Sequence, residues 1–146
     1  MPSLMKHINI IGRCGGMFRS ERLKGTDLSS CHTSYILSIC HAPGISQDQL
    51  ARRICINRSN VTRQLTYLEE HGYVERRQSE TDRRVLLVYP TQRALDVLPT
   101  VRAVVREWNE YITDGFSADE LEQLEDMLER IAEKARGFDE LTGGNE

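Results

Sequence analysis

The residues best suited to binding a charged partner lie in the stretch RRQSETDRR, residues 76–84. An arginine pair stands at each end, and Asp82 lies in the polar run between them. Like charges packed so closely repel one another, so we expect a partner outside the chain to hold them. Arginine donates two parallel hydrogen bonds from a planar group, which suits phosphate and guanine. The stretch therefore favours a nucleic acid as the partner.

The charge of the chain is divided between its two parts. Its 146 residues suffice for one domain, or for a small domain with dimerising extensions, and the net charge is only −3. Residues 1–90 carry 13 basic and eight acidic side chains, a net charge of +5, whereas residues 91–146 carry six and 14, a net charge of −8. We expect the first part to face a polyanion and the second to lie away from it.

Location and cofactors follow from what the sequence lacks. No apolar run approaches the roughly 20 residues that span a bilayer, so we predict a cytoplasmic protein without a membrane partner. The cysteines are widely spaced and form no C-x-x-C motif, which predicts reduced thiols rather than a disulfide framework. Cys31 and His32 are adjacent and cannot both face one site on a helix, so we predict no metal and no cofactor.

Two short helices are predicted in the middle of the chain. Ser46 and Gln49 form a capping box that begins the first, and Asn57 can cap the second, which Gly72 ends. A connection of about four residues between them is typical of a helix-turn-helix. The segments YVERR and VLLVY, with the polar QSETDRR between them, then predict a β-hairpin whose tip is the arginine stretch.

The remaining segments are predicted to be helical. Residues 5–23 and 30–42 precede the helix-turn-helix, and Thr91 can cap a long helix that Pro99 should kink or split. Ser117 and Glu120 form a second capping box. The last helix carries an apolar stripe suited to packing against another helix: Leu121, Leu124, Leu128, Ile131 and Ala135.

The second helix of the pair has the side chains of a DNA reader. Its apolar positions point into the domain, and its outward face would present Arg58, Ser59, Asn60, Thr62, Arg63 and Thr66. Arginine suits guanine, asparagine suits adenine, and hydroxyl groups suit phosphate. From the hairpin we expect Arg77, Asp82, Arg83 and Arg84 to take part, and we expect Ser46, Gln47 and Asn57 to support the helix-turn-helix. A winged helix that binds only proteins is the alternative, and it predicts no DNA binding at low salt.

These motifs resemble the MarR family of bacterial transcription regulators. The resemblance rests on Thr-Arg at 62–63, Leu-Glu-Glu-x-Gly at 68–72 and Asp-x-Arg at 82–84, and it continues through LPTVRAVVREWNEYI. It implies a mainly α fold with a small β-hairpin wing (α+β), a winged helix-turn-helix with N- and C-terminal dimerisation helices. The implied division is 29–90 for DNA binding, 1–28 and 91–138 for dimerisation, and 139–146 as a frayed tail.

The resemblance also implies the mode of action. A homodimer would read a pseudo-palindromic double-stranded DNA operator, probing the minor groove with Arg84 while Asp82 steadies it. We expect a repressor that a small aromatic or anionic effector releases from DNA, with a pocket formed by Arg13, Cys14, His32, Tyr35 and Trp108. A thiol-based redox sensor using Cys14 is the alternative. No glycine-rich phosphate loop, paired-carboxylate cleft or nucleophile elbow is present, so we predict no enzyme activity.

Overall fold

A computed structural model describes residues 3–138 of the chain, so the predicted tail 139–146 lies outside the described residues. Within them the elements are α1 (Leu4–Arg22), α2 (His32–His41), β1 (Ile45–Ser46), α3 (Gln47–Ile54), α4 (Arg58–Glu70), β2 (Val74–Gln78), β3 (Leu86–Pro90), α5 (Gln92–Ile112) and α6 (Ala118–Arg136). The predicted fold class, mainly α with a small β wing, is confirmed. The chain divides into two compact units, Met1–Trp108 and Asn109–Glu146.

The helix-turn-helix consists of α3 and α4, and its predicted caps are present. The Ser46 hydroxyl oxygen accepts a hydrogen bond from the Gln49 backbone N–H at 3.1 Å, and the Gln49 side chain accepts one from the Ser46 N–H at 3.2 Å. Asn57 Oδ1 accepts from the Asn60 N–H at 2.8 Å. Because these side chains replace water as partners of the free helix N–H groups, each cap stabilises its helix by about 1 kcal/mol.

The end of α4 confirms the stop predicted at Gly72, which adopts φ +79°. The Gly72 N–H donates to the Glu69 carbonyl at 3.0 Å, and the Tyr73 N–H donates to the Leu68 carbonyl at 2.8 Å. Glycine reaches this left-handed conformation without a steric penalty, so the chain turns directly from the helix into β2.

The wing is a three-stranded antiparallel sheet in the order β1-β3-β2. In the predicted hairpin, Arg76 of β2 is opposite Val88 of β3. The additional strand β1 pairs with the other side of β3, with Ile45 opposite Val88. Sequence periodicity missed β1 because two residues show no alternation. This pairing attaches the start of α3 to the base of the wing.

The core of the first unit lies between α2, α3, α4, the sheet and the first half of α5. Its largest fully buried side chains are Tyr35, Leu23, Ile36, Ile39, Leu50, Leu65, Leu68, Val61, Val74, Val88 and Val101. Burying each large aliphatic side chain stabilises the fold by about 1.5–3 kcal/mol. The core therefore fixes which face of α4 points inward.

Helix α5 runs through Pro99 as one continuous helix, which corrects the expectation that this proline could split off the first turns. Proline removes one N–H donor and its ring crowds the carbonyl of Leu95, a residue on an exposed position. That carbonyl can turn to water, while buried Ala94, Val101 and Val104 hold the helix against the core on both sides of the proline.

In the second unit, the capping box predicted for α6 is present. The Ser117 hydroxyl accepts from the Glu120 N–H, and the Glu120 side chain accepts from the Ser117 N–H, both at 3.1 Å. No residue of α6 is buried, and its apolar stripe includes the exposed Leu124, Leu128 and Ile131. No helix among the described residues is long and apolar enough to cross a membrane.

Candidate nucleic-acid interface

Helix α4 presents the polar face that the sequence predicts. Arg58, Ser59, Thr62 and Arg63 are exposed, whereas Asn60 and Thr66 are half-buried. Val61, Leu65 and Leu68, on the opposite face, are buried in the core. Residues three or four positions apart share one side of a helix, so burial of the apolar set turns the polar set outward.

The beginning of α4 is ordered by its own side chains. Asn57 Oδ1 accepts both the Asn60 N–H and the Ser59 hydroxyl, the latter at 2.9 Å. Arg58 pairs with Asp48 of α3, with 3.4 Å between the guanidinium nitrogen and the carboxylate oxygen. Helix N-termini attract anions, so this end of α4 is suited to a phosphate group.

Arg76 braces the wing against both helices. Its guanidinium group donates to Gln47 Oε1 at 3.3 Å, to Thr66 Oγ1 at 3.1 Å and to Glu69 Oε1 at 3.0 Å. Gln47 in turn donates to Thr62 Oγ1 at 3.4 Å. Arg76 is therefore held within the chain, which corrects the expectation that an outside partner must hold it. The sequence gives no sign of this, because Arg76 and Arg77 differ only in which face of β2 they occupy.

The ion pair between Arg76 and Glu69 is well satisfied. The Glu69 carboxylate also accepts the backbone N–H of Arg76 at 2.9 Å. Partial burial opposes the charged form, but the hydrogen bonds from Arg76 prevail and lower the pKa of Glu69. The carboxylate therefore remains ionised and fixes β2 against α4.

The tip of the wing carries exposed arginines. Arg84 donates from its backbone N–H and from Nε to Asp82 Oδ1, both at 3.1 Å, and from Nη2 to Oδ2 at 3.2 Å. These side-chain and backbone bonds lower the pKa of Asp82. The side chain of Arg84 is nevertheless 90% exposed. Arg77 pairs with Glu75 at 2.9 Å and lies over the Tyr89 ring, and Arg83 is exposed.

Two residues of the predicted effector pocket are buried beside α4. His32 is 2% exposed and its ring stacks on Tyr67 with 4.9 Å between the centroids. Burial lowers the pKa of His32, a hydrogen bond with Gln64 opposes this, and the nearby His71 lowers it further. Tyr35 is fully buried, which raises its pKa to about 12, and its hydroxyl has no hydrogen-bond partner among the described residues.

The other predicted pocket residues lie at α1. Arg13 and Cys14 are exposed. Trp108 lies close to α1 at Gly15, where an added Cβ atom would be only 3.0 Å from Trp108 Nε1. The redox alternative, which used Cys14, is not favoured. No three His, Cys, Asp or Glu side chains in the same range come together in a way that could hold a metal ion.

The sequence reasoning missed the aromatic and cationic neighbours of Trp108. The Phe18 ring is tilted against Trp108 with 5.3 Å between centroids, and Arg22 lies 5.1 Å over Phe18. Arg22 also pairs with Glu107 at 3.5 Å. The signal in the sequence is the four-residue spacing of Phe18 and Arg22, which places both on one face of α1.

Comparisons with known proteins agree with this geometry. A sequence model described as the MarR family matches residues 28–86. The crystal structure of MarR is 30% identical, covers 90% of each chain and superposes with a TM-score of 0.80. The uncharacterized HTH-type transcriptional regulator YybA of Bacillus subtilis (strain 168) is 26% identical over 131 residues, which are 90% of this chain and 87% of that protein.

The chain belongs to the MarR family. A MarR family regulator from Listeria monocytogenes, complexed with 26mer DNA, has the same fold with a TM-score of 0.92 at 23% identity, over 100% of this chain and 98% of that one. Membership confirms the resemblance stated from the motifs. The chain is thus a transcription regulator of the MarR family, and not an enzyme.

Proposed function

We propose that the chain is a homodimeric, sequence-specific DNA-binding repressor that a small aromatic or anionic effector releases from its operator. The observation that carries the proposal is the polar face of α4, which is exposed, capped at its N-terminus and built on a buried apolar face. Such a helix fits the major groove, where base edges are distinguished by their donors and acceptors. The Listeria relative in complex with DNA supports DNA as the partner.

The wing supplies the second contact of the proposal. Arg84 is almost fully exposed, yet two bonds from its guanidinium group to Asp82 restrict its orientation. An arginine ordered in this way loses less entropy on binding and is suited to a narrow minor groove. Arg77 and Arg83 would add contacts with the phosphate backbone.

Dimerisation is supported by apolar surface that each unit leaves exposed. In α6, Leu124, Met127, Leu128 and Ile131 are between 38% and 49% exposed. In α1, Met5, Ile10 and Ile11 are between 45% and 57% exposed. Apolar stripes of this kind are covered in stable proteins, and a second copy of the chain would bring two copies of α4 to a pseudo-palindrome.

The test is fluorescence anisotropy of the purified protein with labelled duplexes. One duplex is the DNA upstream of the gene for this chain and the other is a scrambled duplex, each at two salt concentrations. We expect preference for the first duplex and an affinity that falls steeply with salt, because bound arginines displace counterions. Equal binding of both duplexes would indicate that the operator lies elsewhere in the genome. No binding at low salt would indicate that the winged helix is a protein-interaction module.

The effector is supported by the aromatic surface beside cations at α1. Trp108 is half-buried, and the Phe18 ring next to it carries the guanidinium group of Arg22. Aromatic rings and guanidinium groups together suit an aromatic anion. Benzoate titrated into the complex should lower the anisotropy, and Trp108→Leu should reduce that response while leaving DNA binding intact. The same response in the variant would place the effector elsewhere.

A further inference from the structure

A continuous line of hydrogen bonds connects the buried start of α2 with the outward face of α4. The backbone N–H of Ser29 donates to His32 Nδ1 at 2.9 Å, and His32 Nε2 lies 2.9 Å from Gln64 Oε1. Gln64 Nε2 donates to Asn60 Oδ1 at 3.5 Å, and Arg63 Nη2 donates to the same oxygen at 3.3 Å. We call Ser29, His32, Gln64 and Asn60 the relay.

The direction of the relay is fixed at its buried end. A backbone N–H can only donate, so His32 Nδ1 must accept and the ring proton must be on Nε2. That proton is donated to Gln64 Oε1, toward which the Cys31 thiol also points at 4.0 Å. The Gln64 amide therefore turns its NH₂ group toward Asn60, and Asn60 turns its oxygen inward.

The buried end of the relay is held on several sides. His32 stacks on Tyr67, Tyr67 stacks on His71 with 4.0 Å between centroids, and the Tyr67 hydroxyl donates to the Asp27 carbonyl at 2.5 Å. A ring flip of His32 would need these contacts to separate and would leave the buried imidazole without matched partners. The orientation is thus imposed by the core on the surface.

The consequence is a helix face that offers donors. With both lone pairs of its oxygen engaged, Asn60 has only its NH₂ group for a partner outside the chain, and Arg63 is also only a donor. Guanine presents two acceptors in the major groove, whereas adenine and cytosine each present an amino group. A donor facing an amino group is unfavourable.

Resting on the proposed DNA-binding function, we propose that His32 and Gln64 are positioning residues that orient Asn60 as a hydrogen-bond donor, so that α4 selects guanine over adenine at the base Asn60 contacts. This differs from the adenine pairing that an isolated asparagine suggests, because adenine requires the amide oxygen to face outward.

The experiment selects duplexes from a random-sequence library with the full chain. Asn60→Ala identifies the base position whose preference depends on Asn60, and we expect guanine there for the wild type. Gln64→Leu should reduce that preference roughly tenfold. Gln64→Glu should move it toward adenine or cytosine, because the new carboxylate only accepts and would turn the Asn60 oxygen outward. Gln78→Glu, on the exposed end of β2, is the control for added charge and should leave the preference unchanged.

A second readout needs no DNA. The ¹⁵N shifts of His32 report its tautomer, and we expect the proton on Nε2 in the wild type. The proposal would be overturned if the wild type preferred adenine at the Asn60-dependent position, or if no position depended on Asn60. It would also be overturned if Gln64→Glu left the base preference unchanged, or if the His32 proton were on Nδ1. If the wild type bound no duplex, the proposed function would be overturned as well. That outcome is distinct from a failure of the relay alone, in which the chain binds DNA but with a different base preference.

Discussion

At the scale of single residues, Arg84 is the wing side chain whose proposed contribution to DNA binding is easiest to isolate. Its side chain is exposed, and among residues 3–138 the hydrogen bonds of its guanidinium group go to Asp82. We expect Arg84→Ala to weaken operator binding and to lower the slope of log affinity against log salt by about one, because the proposed minor-groove cation no longer displaces a counterion. Arg130→Ala, at an exposed arginine of α6, is the matched control and should change neither quantity.

Asp82 provides a sharper test of the same contact. If the net charge of the wing alone determined the affinity for DNA, removing the negative charge of Asp82 would strengthen DNA binding. We expect Asp82→Asn to weaken it instead, because Arg84 loses the ionised partner that orders its guanidinium group. Anisotropy at two salt concentrations separates the two cases, and tighter binding by the variant would rule out the steadying role of Asp82.

His32 makes stability depend on pH. Burial lowers its pKa in the folded chain below the ordinary value of 6.5, so the unfolded chain binds this proton more readily. The stabilising contribution of His32 is complete above pH 6.5 and is lost as the pH falls from 6.5 through the pKa of the folded state. The free energy of unfolding decreases by at most about 1.4 kcal/mol per pH unit over this range. The pKa values of Glu69 and Asp82 are also lowered, and the stabilising contributions of these carboxylates are lost only at more acidic pH.

The measurement is urea unfolding at pH 7.5 and pH 5.5. The wild type should lose stability between the two values, and His32→Gln should lose less. His41→Gln, at an exposed histidine of α2, is the control and should behave as the wild type. An equal loss in His32→Gln and the wild type would show that another group is responsible.

At the scale of elements, Arg76 couples the wing to the helix-turn-helix. It contacts α3 through Gln47 and α4 through Thr66 and Glu69, and its side chain is only 15% exposed. We expect Arg76→Ala to lower the free energy of unfolding by about 1–3 kcal/mol, because partly buried polar groups lose their partner. Arg77→Ala removes an exposed ion pair and the contact with the Tyr89 ring, and should cost about 1 kcal/mol or less. Chemical denaturation gives the free energy of unfolding of both variants. Equal losses of that free energy would contradict the role of Arg76 in holding the wing against the two helices.

At the scale of the whole molecule, the exposed stripe of α6 should determine assembly. Leu124→Glu and Leu128→Glu place charges on surface that dimerisation would bury, so we expect monomers in sedimentation velocity and a large loss of operator affinity. Gln123→Glu adds the same charge to the same helix outside the stripe and should remain dimeric. Dimers in all three variants would assign the interface to other residues.

The sequence alone determined the helices of the helix-turn-helix, the hairpin and several helix ends. Capping boxes at Ser46 and Ser117, the Asn57 cap and the Gly72 stop are local features, since each depends on residues within three or four positions. The inward and outward faces of α4 were also predictable, because helical periodicity fixes them. The family followed from motifs spread along the same local elements.

Only the tertiary structure decided which polar residues are engaged inside the chain. It turned Arg76 inward and Arg77 outward, paired β1 with β3, and joined His32 to Asn60 through Gln64, a residue the sequence did not single out. The contacts of Arg76 with Gln47, of β1 with β3 and of His32 with Gln64 connect residues far apart in the chain, so no periodicity records them. Their physical basis is that a buried polar group must find a partner wherever the fold brings one within reach.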